Sequence, residues 1–167
     1  MSQVTIREMK VEDRVLLEEF LYLAVHQRDP AVPVPRSVTS EPGVRIYIEG
    51  FGAAADDHGL VAEVDGRVVG MAWARVLGGD PPGYGHVDDE TPELAVSVRP
   101  EFRGRGIGTL LMGQILRVLA GCGYRRTSLS VDKTNEAVRL YARLGFEVIV
   151  ENDVDYLMIR TLSVEDG

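Results

Sequence analysis

A chain of 167 residues, 45% of them hydrophobic, can bury one sizeable core and reads as a single domain over residues 1–167. Its formal net charge of −8 argues against a nucleic-acid surface, which needs a basic footprint, and no apolar run is long enough to span a bilayer. The opening MSQVTIREMK lacks the apolar centre of a secretory leader, and the lone Cys122 can close no internal disulfide, so a reducing cytoplasm is expected.

VTIRE (residues 4–8) alternates apolar and polar and predicts a strand. Residues 11–25 predict a helix with Val15, Leu16, Phe20 and Leu23 on one side. Four prolines between Asp29 and Pro42 break regular structure, and residues 44–51 predict a short second helix. In GLVAEVDGRVVGMAWARV two apolar runs flank Asp65-Gly66, a favoured tight-turn pair, which predicts a hairpin. Residues 77–92 are loop, rich in glycine, proline and acid. A strand over 94–98 leads through a glycine turn into a helix over about 107–120, ended by Gly121 and Gly123. TSLSV (127–131) predicts a strand, residues 135–145 a helix, and FEVIV and YLMIRTL two closing strands. This order predicts a mixed α/β sheet with helices on both faces.

The chemistry concentrates in RGRGIG, Arg103 to Gly108, where a strand gives way to a helix. A helix N-terminus offers unpaired N–H groups and partial positive charge, so an anion gains hydrogen bonds and a favourable field there. Glycine permits the tight turn and close approach of a ligand, and Arg103 and Arg105 add full charges. The pattern reads as a diphosphate cradle. It is not a P-loop, since no GxxxxGK[ST] run exists, and glycines at 104, 106 and 108 miss the GxGxxG register of dinucleotide folds. What fits is R-x-x-G-x-G (Arg103, Gly106, Gly108) preceded by V-x-P (Val98, Pro100).

VSVRPEFRGRGIGTLLM resembles the acyl-CoA-binding segment of the GNAT N-acetyltransferase superfamily. LSVDKTNEAVRLYARLGFEVI (129–149) resembles the strand and helix that follow it in that family. The resemblance implies a mostly antiparallel central sheet with helices on both faces and one splayed parallel strand pair. It implies acetyl-CoA as acyl-donor cosubstrate, with its amide-bearing arm along the strand edge at Val96, Ser97 and Val98. The diphosphate would fall on Arg103, Gly104, Arg105, Gly106, Ile107, Gly108 and Thr109. Asn135 matches a family residue that contacts the cofactor arm, and it equally suits a helix N-cap. Tyr141 matches the general acid that meets the leaving thiolate; by spacing alone it is a core aromatic with Leu140 and Leu144.

An attacking amine must be neutral. At pH 7 an α-amine is about one-tenth neutral, a lysine about one part in 2,500, so a lysine acceptor needs a base far more. Some N-terminal acetyltransferases of the superfamily carry a Glu where this chain has Ser130. Glu93, just before the 94–98 strand, is the base candidate; otherwise it is a solvated charge in the acidic run DDETPE. His26, His58 and His86 lack metal-ligand spacing, and Cys122 between two glycines suits packing better than nucleophilic attack. The expected acceptor is a small-molecule or peptide amine, with residues 29–42 and 77–92 on its side of the site. A non-catalytic acyl-CoA-binding or sensing module is the alternative. Whether the chain forms a homodimer is left open, although many relatives dimerise through late strands or helices.

Overall fold

The computed structural model describes residues 2–167. Seven strands form one sheet: β1 (Val4–Glu8), β2 (His58–Val64), β3 (Arg67–Arg75), β4 (Glu93–Val98), β5 (Arg126–Asp132), β6 (Glu147–Glu151) and β7 (Asp155–Thr161), in spatial order β1-β2-β3-β4-β5-β7-β6. Every neighbouring pair is antiparallel except β4 and β5. Among the described residues four α-helices accompany it: α1 (Leu17–Ala24), α2 (Pro42–Arg45), α3 (Ile107–Gly121) and α4 (Ala137–Arg143). This is the expected mixed sheet with one parallel pair.

Strand alternation builds two cores. In β2 and β3, Ala62, Ala72 and Ala74 turn one way, against Leu111, Met112, Ile115 and Leu119 of α3. Val61, Met71 and Trp73 turn the other way, against Leu17, Phe20 and Leu21 of α1. The hairpin turns at Asp65 (φ 51°) and Gly66 (φ 78°), both left-handed, as a tight Asp-Gly turn requires.

Two expected helices differ. The first begins as a 3-10 helix over Val11–Leu16 and becomes α-helical only at Leu17, leaving Val15 82% exposed. The cause is Asp13, which accepts from the Lys10 amide (2.7 Å) and from both terminal nitrogens of Arg7 (2.7 and 3.0 Å). That pulls Asp13, not Val15, inward. In the second, regular α-helix stops at Arg45 and the chain continues in turns. The Arg75 guanidinium takes the carbonyls of Ile46 (2.9 Å) and Glu49 (2.8 Å), and Gly50 (φ 61°) and Gly52 (φ 98°) turn the backbone away.

The parallel pair positions the site. β4 and β5 share a single register pair, Glu93 with Ser128, and part beyond it. Although β4 is central, Ala95, Val96 and Val98 stay only half-buried. α3 lies close against β3, beside this opening, because β3 carries glycine at 70. A methyl there would stand 2.9 Å from Leu111 Cδ1 and 3.3 Å from the Ser97 carbonyl oxygen. Leu111 is fully buried and cannot retreat. Gly70→Ala is therefore expected to lower stability by about 1–3 kcal/mol in equilibrium urea unfolding. An unchanged midpoint would contradict this close seating of α3.

Candidate active site

The glycine turn is built as its residue types demand. Gly104 (φ 75°) and Gly106 (φ 79°) both occupy left-handed backbone, and Gly106 is the N-cap of α3. Arg103 Nε donates to the Val98 carbonyl (3.1 Å). Arg105 Nη2 donates to the Glu101 carbonyl (3.3 Å), and its guanidinium sits 4.9 Å from the Phe102 ring centre. Both cations are thus held at the rim of the turn. The first bond that closes onto it runs from Leu110 N to the Gly106 carbonyl (3.1 Å). Among the described residues, no amide from Gly104 to Thr109 donates to a protein acceptor. Six successive donors, a helix dipole and two guanidinium groups fit a diphosphate.

The turn lies at the C-terminal end of β4. β5 is parallel, so its own C-terminal end, leading to Asn135, lies at the same edge of the sheet. Asn135 Oδ1 accepts from the Ala137 amide (2.9 Å) across Glu136, the N-cap of α4. The Ser97 hydroxyl donates to the Phe20 carbonyl (2.7 Å) on the α1 face, and its backbone carbonyl faces Gly70 of β3, so Ser97 turns neither group to the opening. Val96 and Val98 turn their side chains to the α3 face. The chain leading into the proline-rich segment is tied to the same edge by the Arg28–Asp132 ion pair (2.6 Å) and by His26 with Thr134 (3.0 Å).

Glu93 and Tyr141 sit on opposite faces of the sheet. Tyr141 packs with the α3-side core, its ring 5.9 Å from that of Phe146. Burial pushes its hydroxyl up to about 12, so the phenol keeps its proton at neutral pH. Glu93 points to the α1 side and is 3% exposed. It is therefore not a solvated strand-start charge. Burial raises its carboxyl to about 7; donors from Tyr47 and the Gly85 amide pull partly the other way. Ser130, on β5, donates to Asp155 Oδ2 (3.1 Å).

Three residues of this site carry no signal in the sequence. Tyr47 donates to Glu93 Oε2 across 46 positions. Gly83 and Gly85 bring the 77–92 loop against the same carboxylate, where any side chain would collide with it. Only the third dimension joins them. The described residues contain no cluster of His, Cys, Asp or Glu arranged for a metal ion, and no helix long and apolar enough to cross a membrane.

Burial of Glu93 has a thermodynamic consequence. Its folded-state value, about 7, stands above the ordinary 4.5, so its protonated form is the stabilising one. Relative to Glu93→Gln, the wild type is expected to be most stable below pH 4.5 and to lose roughly 3 kcal/mol as pH rises through 7. Urea unfolding of both proteins at pH 4 and pH 8 measures this, and a pH-independent difference would contradict a buried, protonatable carboxyl.

A family model described as acetyltransferase (GNAT) family matches residues 22–146, a span that holds the glycine turn, Asn135, Tyr141 and Glu93. The mycothiol acetyltransferase of Saccharomonospora viridis is 36% identical over 110 residues, which are 61% of this chain and 33% of that protein. The one from Streptomyces coelicolor is 36% identical over 99 residues, 58% of this chain and 29% of that protein. The chain thus matches about a third of the length of these relatives. Among solved structures, a GNAT family acetyltransferase from Brucella melitensis in complex with acetyl-CoA superposes with a TM-score of 0.66 and 23% identity, over 95% of this chain and 88% of that one. The match of this family model over residues 22–146, most of the chain, identifies the chain as a member of the acetyltransferase (GNAT) family.

Proposed function

We propose that the chain transfers the acetyl group of acetyl-CoA to a primary amine of a small molecule or peptide, by direct attack and without a covalent enzyme intermediate. The observation that carries this reading is the run of six unpaired amides, Gly104 to Thr109, at the mouth of the β4–β5 opening. When bound, acetyl-CoA supplies an activated thioester carbonyl.

The chain's own residues do the rest. The amides of 104–109, flanked by Arg103 and Arg105, hold the diphosphate. The free edge of β4 at Val96 and Val98 aligns the amide-bearing arm much as a neighbouring strand would, and Asn135 stands at the same edge. Glu93, on the α1 face, accepts the proton of the attacking amine. Tyr141, on the α3 face, donates to the departing sulfur. Base and acid then approach the reacting centre from opposite sides of the parted strands. Their values set the working window: Glu93 is charged above about 7 and Tyr141 keeps its proton below about 12. Holding amine and thioester together supplies most of the acceleration, with the two side chains adding acid–base help.

The acceptor enters between α1, the proline-rich segment and the 77–92 loop. The relatives named for mycothiol support including an amine of that class among the acceptors tested. A panel of such an amine, polyamines, aminoglycosides, amino acids and peptides, read by thiol release from acetyl-CoA, tests the proposal. Turnover with at least one class is expected. Tyr141→Phe is expected to lower kcat about 100-fold while leaving CoA affinity intact. CoA binding with no turnover across the panel would overturn the enzyme reading in favour of an acyl-CoA-sensing module.

A further inference from the structure

We infer that Tyr47 is a positioning residue for the proposed base. Its hydroxyl, tied to the 83–85 loop, holds one oxygen of the Glu93 carboxylate and leaves the other oxygen to receive the proton. This rests on the reading of Glu93 as base.

The geometry separates the two oxygens. Oε2 accepts from the Tyr47 hydroxyl and from the Gly85 amide (3.0 Å). Oε1 is buried and has no hydrogen-bond partner among the described residues. A buried carboxylate oxygen without a donor is costly, so this atom is the one prepared to take a proton. Gly83 gives it room: a methyl there would stand 2.1 Å from Oε1. Gly85 is equally confined, since a methyl would lie 2.8 Å from the Leu129 carbonyl carbon and 3.0 Å from Glu93 Cδ. The loop is therefore shaped around the carboxylate.

Tyr47 is itself held from three sides. Its hydroxyl accepts from the Tyr84 amide (2.9 Å). Its carbonyl accepts from Trp73 Nε1 (3.0 Å), and Trp73 is 1% exposed. Its ring stacks on Tyr84 with centres 6.5 Å apart at 16°. A donor fixed this firmly selects one carboxylate rotamer.

No neighbouring charge competes for the task. Arg75 faces Glu93 across the β3–β4 register, yet its guanidinium is engaged by Asp57 (3.0 and 3.2 Å) and by the Ile46 and Glu49 carbonyls. His86, on the loop, lies 3.7 Å from Asp89, and Asp88 is paired with Arg126 (2.5 Å). From β5 the facing group is the neutral Ser128, whose hydroxyl donates to the Gly85 carbonyl (2.6 Å). The proton affinity of Glu93 is thus a balance between burial, which favours the neutral form, and the Tyr47 and Gly85 donors, which favour the charged one.

The test compares wild type with Tyr47→Phe, which keeps the packed ring. Two quantities are followed: the Glu93 carboxyl titration by 13C NMR, assigned with Glu93→Gln, and the acidic limb of kcat/KM with a responsive amine. Loss of the donor is expected to move both upward by about one pH unit. The rate at pH 6 would then fall about tenfold and recover at pH 9, with KM for acetyl-CoA unchanged. If neither quantity moves, the Tyr47 inference is overturned. If the titration moves and the limb does not, Glu93 is removed as base and Tyr47 loses its catalytic part. Gly83→Ala supplies the contrast. It crowds Oε1, so its rate should fall at every pH with no recovery at pH 9, and a wild-type rate would overturn the assignment of Oε1.

Discussion

Two parallel strands that share one register position and then separate leave backbone polar groups without a neighbouring strand. Such groups need partners elsewhere. Here the parting occurs in the middle of the sheet, between β4 and β5, and the opening it creates is flanked on both sides by packed structure. The glycine turn places α3 at its mouth, and the absence of a side chain at Gly70 lets α3 settle against β3 and β4. Without the parting, the amides of 104–109 would face plain surface. With it, they stand beside a slot lined by the half-buried Ala95, Val96 and Val98.

The slot also divides the chemistry. Each face of the sheet has its own core, one around α3 and one around α1. Tyr141 belongs to the first and Glu93 to the second. In the proposed reaction a thioester lying between the strands would be reachable from both faces, so the proposed acid and base need not share one side. Burial acts in the same sense on both, favouring the protonated form. For Tyr141 that preserves a donor at neutral pH. For Glu93 it favours the neutral carboxyl, while the Tyr47 and Gly85 donors favour the charged form that the proposed base role requires.

The parts of this molecule that were legible in the sequence are those governed by local rules. The Asp65-Gly66 hairpin, the glycine turn, α3 and its glycine ending follow from backbone preferences within a few residues. The sheet's single parallel pair came through resemblance of two segments. What was not legible depends on distant partners. Residues 11–16 wind as a 3-10 turn because Arg7 draws in Asp13, and the helix expected over 44–51 yields because Arg75, on β3, takes its carbonyls. Tyr47 was one tyrosine among six until Trp73, Tyr84 and Glu93 closed around it. Glu93 itself was legible as an acid at the start of a strand, but its burial was not, since the cover comes from Gly83 and Gly85 in a loop without periodicity.

The central claim is that the backbone of residues 104–109 grips the diphosphate of CoA. Titrating 15N-labelled protein with CoA while following those six amide resonances tests it most directly. Downfield proton shifts concentrated in Gly104 to Thr109 are expected as new hydrogen bonds form. CoA that binds while those six resonances stay in place would contradict it.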